Sequence, residues 1–323
     1  MSLLDIKPHQ VSSSPLDKVF LIYGEPGTRK TSVAVGDIEH TLLLAFEVGY
    51  KFIPGVYAKN IMNWVTLKQI LRELDNDNVR EKFKTIAIDT IGLAYKACVN
   101  YICSQKGVEE IGKIPYGQGY SMAKNEFEKV INSIPQRGFG LIMVAHSDEV
   151  TDDNGISVKV DINKRPSSVI KGLADFILYS RKEQLDDKPE ESTVYAYSEI
   201  SKGHVEVKKR ARFFPKRFEF TYENLIKGLE EAIKKQDEFF GTQSIEEADF
   251  KVFVEEKEVD LKALQDEVAA LASSLFETAE KDITIKTIKE LLPNVRITKT
   301  NRNHISALFA LRERLTTLKK GLR

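Results

Sequence analysis

The sequence predicts an α/β fold, a mostly parallel sheet flanked by helices, with a small helical region at its C-terminal end. Apolar runs of strand length alternate with segments of helical periodicity, the order that builds parallel sheets. Those runs are nearly continuous rather than alternating, as expected of strands covered on both faces. Strand signals stop near residue 240, where charged segments with leucine seams take over.

Residues 1–15, with Ser12-Ser13-Ser14-Pro15, read as a loose leader. The first strand is 19–23, Val-Phe-Leu-Ile-Tyr, followed by a glycine turn and a helix that runs to near His40. A second apolar run, 41–46, ends at Glu47 and Gly49, and 64–74 reads as a helix. The third strand, 83–88, ends at Asp89-Thr90 and precedes a long helix through Cys103. A loop rich in glycine and aromatics, 114–120, leads to a helix with apolar residues at Phe127, Val130, Ile131 and Ile134, the i, i+3, i+4, i+7 pattern. The fourth strand, 140–145, ends at His146; a hairpin over 150–160 then turns at Asp152-Asp-Asn-Gly155. Further strands centre on 194–197 and 205–207, and 208–217 is strongly basic.

The boundary between the main domain, 1–240, and the helical region, 241–323, is drawn where strand signals end. Residues 246–280 carry 11 acidic and 3 basic side chains, whereas 281–323 carry 11 basic and 3 acidic. Leu261, Leu264, Val268, Leu271 and Leu275 repeat at 3-4 spacing, as do Leu308, Leu311, Leu315, Leu318 and Leu322. Two such helices would pack on each other or on another subunit. Their charges are either solvated faces or a grip on DNA or a neighbouring acidic segment.

The chemistry starts at Gly24-Glu-Pro-Gly-Thr-Arg-Lys-Thr31, which leaves a strand and opens a helix. Backbone N–H groups from Gly24 to Thr31 would curl around phosphates at a helix N-terminus. Lys30 would reach the β- and γ-phosphates and the Thr31 hydroxyl would hold Mg²⁺, so ATP and Mg²⁺ are the expected cofactors. The contacting residues would be Gly24, Glu25, Pro26, Gly27, Thr28, Arg29, Lys30, Thr31 and Ser32. Arg29 stands where the G-x-x-x-x-G-K-[ST] pattern has its second glycine. If that position needs positive φ, its side chain costs about 1 kcal/mol. An ordinary strand–turn–helix would carry Gly-Pro-Gly as well. In open α/β sheets ligands sit beyond the carboxyl ends of the strands, where Glu47, Asp89 and His146 fall.

Composition bounds the rest. The 323 residues are 42% hydrophobic and 30% charged with zero formal net charge, which excludes disorder and leaves nucleic-acid binding to local patches. Cys98 and Cys103 are the only cysteines, and the five histidines show no metal-ligand spacing. No run approaches ~18 apolar residues and no signal segment is evident, so a cytoplasmic protein without membrane contact is expected.

Together Gly24-Glu-Pro-Gly-Thr-Arg-Lys-Thr31, Glu47, Ile86-Ala-Ile-Asp-Thr90 and Leu141-Ile-Met-Val-Ala-His146 resemble the RecA-like P-loop NTPase core over roughly 15–220. Pro115-Tyr-Gly-Gln-Gly-Tyr120 through Val144-Ala-His146 resembles more narrowly the phage-encoded AAA-type NTP-binding family, which includes single-strand annealing proteins. The resemblance implies that Lys30 and Thr31 hold phosphate and metal, and that Asp89 binds Mg²⁺ through water. It implies that Glu47 activates the attacking water and that His146 senses the γ-phosphate. Residues 147–168 would be a DNA-binding loop, with Lys159, Lys164 and Arg165 as phosphate contacts. Arg210-Ala-Arg212-Phe213 would reach a neighbour's nucleotide or touch DNA, making a homo-oligomer the working form. An ATPase acting on single-stranded DNA in recombination or replication is the expected function. A non-hydrolysing, nucleotide-dependent binding protein is the alternative, favoured by Arg29. A small-molecule kinase would need an arginine-rich lid, which is not evident.

Overall fold

The computed structural model describes residues 11–12, 14, 17–152, 155–185, 188–200, 204–245, 261–293, 295–301 and 304–321. Most of the expected leader, the hairpin tip at 153–154, much of the acidic stretch (246–260) and Leu322 lie outside those residues. The chain divides into two compact units, Met1–Phe253 and Val254–Arg323.

The first unit is built on one sheet. Its central strands β1 (Val19–Gly24), β2 (Thr41–Ala45), β3 (Tyr57–Asn60), β4 (Thr85–Asp89), β5 (Gly140–Asp152) and β7 (Phe176–Leu185) run parallel in the order β7-β1-β5-β4-β2-β3. Strands β8 (Lys188–Tyr197) and β11 (Arg217–Glu219) extend the β7 side antiparallel, β6 (Gly155–Val160) pairs back on β5, and the two-residue strands β9 (His204–Val205) and β10 (Lys208–Lys209) pair with β6 and β7. Every residue of β1 and β4 is buried, because helices cover both faces of the sheet.

One face packs Leu21, Tyr23, Ile86 and Ile88 against Trp64, Tyr95 and Phe127 of helices α2 (Trp64–Glu73), α4 (Ile91–Lys106) and α5 (Gln118–Gln136). The other packs Phe20, Ile22, Leu43 and Val144 against Val33, Leu225 and Leu229, from helices α1 (Lys30–Ala34) and α7 (Tyr222–Phe240). All four apolar residues read from the periodicity of α5 are buried. Asn63 and Thr221 cap α2 and α7 by accepting hydrogen bonds from Thr66 N and Asn224 N.

Four elements depart from the sequence reading. The helix after the glycine turn stops at Ala34 rather than near His40. A Cβ at Gly36 would lie 2.2 Å from the Tyr222 ring, so α7 packs where the next turn would go. Strand β3 and the short helix α3 (Asp77–Lys82) carry no apolar pattern; β3 is a largely exposed edge strand and α3 buries nothing. Finally β5 does not end at His146 but runs on to Asp152, held by pairing of Ser147 with Val160 and Asp148 with Lys159.

The second unit has its own core. Leu264, Val268 and Leu275 of α8 (Leu261–Phe276) pack with Leu308, Leu311 and Leu315 of α10 (Ile305–Gly321) and with Leu292, just after α9 (Lys281–Leu291). The two leucine seams thus meet each other. Among the described residues no helix is long and apolar enough to cross a membrane.

Candidate functional site

The parallel register brings the ends of β1, β2 and β4 level with His146, inside β5, at one edge. Gly24 of β1 is level with His146 of β5, Asp89 of β4 with Val144, and Ala45 of β2 with Asp89. Strand β5 lies between β1 and β4, so His146 emerges between the glycine turn and Asp89. Past β2 the chain folds over the end of β4, where Phe46 N and Glu47 N both donate to the Asp89 carbonyl, at 2.7 and 3.0 Å. That turn carries the Glu47 carboxylate toward His146.

The turn after β1 has the backbone of a phosphate cradle. Gly27 has φ 80° and Arg29 φ 58°, ψ 15°, so the position customarily glycine takes the left-handed conformation here with an arginine in it. Arg29 is exposed, and Arg29 O accepts from Val33 N at 3.0 Å to start α1. Lys30 is folded inward, 7% exposed, its Nζ donating to Gly24 O at 2.8 Å and Glu25 O at 2.5 Å. Burial pushes its ammonium down to about 8, although Asp89, Glu47 and Glu25 pull the other way.

Thr31 Oγ1 donates to Asp89 Oδ2 at 2.7 Å. Burial is the main cause holding the Asp89 carboxyl above its usual range; the Thr31 hydrogen bond opposes it and the Glu47 charge adds to it. Glu47 Oε2 meets His146 Nε2 at 3.1 Å, while among the described residues the buried His146 Nδ1 has no partner. A hydroxyl and a carboxylate side by side are the hard oxygen donors that suit Mg²⁺. Gly49 borders them: a Cβ there would lie 3.7 Å from Thr31 Oγ1 and 3.8 Å from Asp89 Oδ2. Thr31 and Asp89 would hold the ion, which would neutralise phosphate charge. Lys30 would neutralise more, and Glu47 would stand at the mouth of the cradle.

The fold therefore gathers Lys30, Thr31, Asp89, Glu47 and His146 from four separate segments. Other residues singled out in the sequence lie elsewhere. Lys164 and Arg165 are exposed on the first turn of α6 (Lys164–Leu173), and the Arg165 guanidinium lies 4.1 Å from the Tyr120 ring centroid. The segment leading into that helix is tied back to the site, since Asp161 N donates to His146 O at 2.9 Å. Lys159 faces Asp148 across the hairpin. Arg210 sits at the opposite edge of the sheet, paired at 2.9 Å with Asp175, whose other oxygen accepts from Val19 N at the start of β1. Arg212 packs over the rings of Phe213 and Phe239. Within one chain neither arginine joins the phosphate loop.

Two participants carry no mark in the sequence. Gly49 reads there only as the end of a strand, and Ser180 of β7 merely follows an apolar run. Ser180 is fully buried beneath the glycine turn, its Oγ 2.8 Å from Thr28 Oγ1. Only the pairing of β7 with β1 shows it.

The family described as an AAA domain matches residues 17–216, a span holding every residue of this site. A similar protein is the uncharacterized SPbeta prophage-derived protein YorG of Bacillus subtilis (strain 168), 26% identical over 311 residues and covering 93% of each chain.

Proposed function

The chain belongs to the AAA domain family, and on that premise we propose that it binds ATP with Mg²⁺ and hydrolyses it as a RecA-like ATPase acting on single-stranded DNA in phage recombination or replication. The observation that carries the nucleotide half is the 2.7 Å contact between Thr31 and Asp89, beside the inward Lys30 and within reach of Glu47. Such a set binds a triphosphate, neutralises its charge and offers one carboxylate as base toward a water. Similarity to a prophage-derived protein supports the phage setting. The DNA half rests on the family resemblance and on Lys164 and Arg165, exposed on the first turn of α6 just past Asp161, whose N–H donates to His146 O. Arg210 and Arg212, remote from their own phosphate loop, would serve a neighbouring subunit of a homo-oligomer.

The test is phosphate release with and without single-stranded DNA, using wild type and Glu47→Gln. The variant should keep ATP affinity and lose roughly 10²-fold or more in turnover. Normal hydrolysis by Glu47→Gln removes Glu47 as the base. Tight ATP binding without turnover in the wild type selects the second reading, a nucleotide-dependent binding protein. The arginine in the glycine position favours that reading.

A further inference from the structure

The phosphate loop rests on a buried hydroxyl pair that the sequence motif does not contain. Strand β7 abuts the loop so closely that a Cβ on Gly24 would lie 2.1 Å from the Ser180 carbonyl oxygen and 2.4 Å from Ser180 Oγ. Ser180 Oγ reaches Tyr23 O at 3.2 Å and Thr28 Oγ1 at 2.8 Å. Thr28 Oγ1 in turn donates to Glu25 O at 2.8 Å, and Thr28 and Ser180 are both buried.

Each hydroxyl has one hydrogen to give. With Thr28 donating to Glu25 O, the one Ser180 hydrogen is shared between Thr28 Oγ1 at 2.8 Å and Tyr23 O at 3.2 Å, Thr28 being the nearer acceptor. The Lys30 ammonium shares the same carbonyl, at 2.5 Å, and lies 3.4 Å from Thr28 Oγ1. To meet a phosphate, Lys30 must leave Gly24 O and Glu25 O. Glu25 O then keeps the Thr28 donor, and Thr28 keeps Ser180. Without that chain the freed carbonyl would have to find another donor or turn outward, and the curl of backbone N–H groups would open.

We propose that Ser180, acting through Thr28, is a positioning residue for the nucleotide: it holds the phosphate loop curled while Lys30 exchanges backbone carbonyls for phosphate. This rests on the reading of the loop as an ATP site. Its consequence is that nucleotide affinity depends on a strand on the far side of β1 from Asp89 and His146.

The test is ATP–Mg²⁺ titration by calorimetry of wild type, Ser180→Ala, Thr28→Val, the double variant and Thr28→Ser, with steady-state turnover on each. Each single removal should weaken binding about tenfold, and for Ser180→Ala KM should rise alike with kcat within about twofold. The double variant should be no weaker than about twofold beyond either single, because one chain is broken once. Thr28→Ser, which keeps the hydroxyl, should bind as wild type. Ser180→Ala binding like wild type, or two losses that multiply, overturns the proposal. Should Ser180→Ala fail to fold, Ser180→Cys takes its place, and Thr28→Val against Thr28→Ser decides the same point. A wild type that binds no ATP overturns the nucleotide reading itself, which the variant comparison alone cannot do.

Discussion

Replacing Arg29 by glycine isolates the one place where the phosphate loop departs from its sequence pattern. Arg29 holds φ 58° and ψ 15°, and among the described residues its exposed side chain makes no hydrogen bond or ion pair. A residue with a Cβ in this conformation costs about 1–2 kcal/mol relative to glycine. Glycine gives back about 0.4–1 kcal/mol through the greater freedom of its unfolded chain. The net expectation for Arg29→Gly is a gain of roughly 0.5–1 kcal/mol, or about 1–4 °C in melting temperature for a unit of this size. Arg29→Ala removes the same guanidinium but keeps the strain, so it should gain nothing. The assay is thermal and urea unfolding followed by tryptophan fluorescence. Trp64 is the chain's one tryptophan and is fully buried in the first unit, so the signal reports that unit. If Arg29→Gly is less stable than wild type, or if Arg29→Ala gains as much as Arg29→Gly, backbone strain is not what the arginine imposes.

Other outcomes follow from the same site and from the second unit. ATP affinity should fall as pH rises through about 8, where ligand-free Lys30 loses its proton; a bound triphosphate raises that pKa again. Binding near pH 8.5 should therefore take up a proton, read by calorimetry in buffers of different ionisation enthalpy. Because the folded pKa of Lys30 lies below its unfolded value, burying the charge is unfavourable below pH 8, and the penalty fades between about 8 and 10.5. Lys30→Met should accordingly abolish ATP binding yet melt higher than wild type at pH 7, an advantage that shrinks at pH 10. Arg165→Ala should weaken binding to an oligonucleotide and reduce the slope of log K against log salt by about 0.7. Leu311→Ala, at a fully buried position between α8 and α10, should cost about 2–5 kcal/mol, measured as lost hydrogen-exchange protection over 261–321.

Much of the first unit was legible because its signals are local. The strands β1, β2 and β4 are apolar runs bounded by polar residues, and α5 declares its buried face by periodicity. The phosphate loop is legible for the same reason, since one contiguous segment must both turn and present amides. What failed to show was set by neighbours distant in sequence. Tyr222 occupies the space beyond α1, and the exposed edge strand β3 needs no apolar pattern to pair with β2. The extension of β5 beyond His146 is stabilised by β6, so a polar residue that looked like a strand end lies inside a strand.

The sequence by itself determined the alternation of strands and helices, the phosphate loop, and the residue types at the strand ends. These depend on chemistry within a few neighbours along the chain, where burial period and turn geometry act. Tertiary structure alone decided that β5 intervenes between β1 and β4, that Glu47 meets His146, and that Ser180 lies beneath the loop. Those facts are strand order and register, which arise from packing the whole sheet. Side chains separated by 99 and 152 positions become hydrogen-bond partners only once that packing is complete.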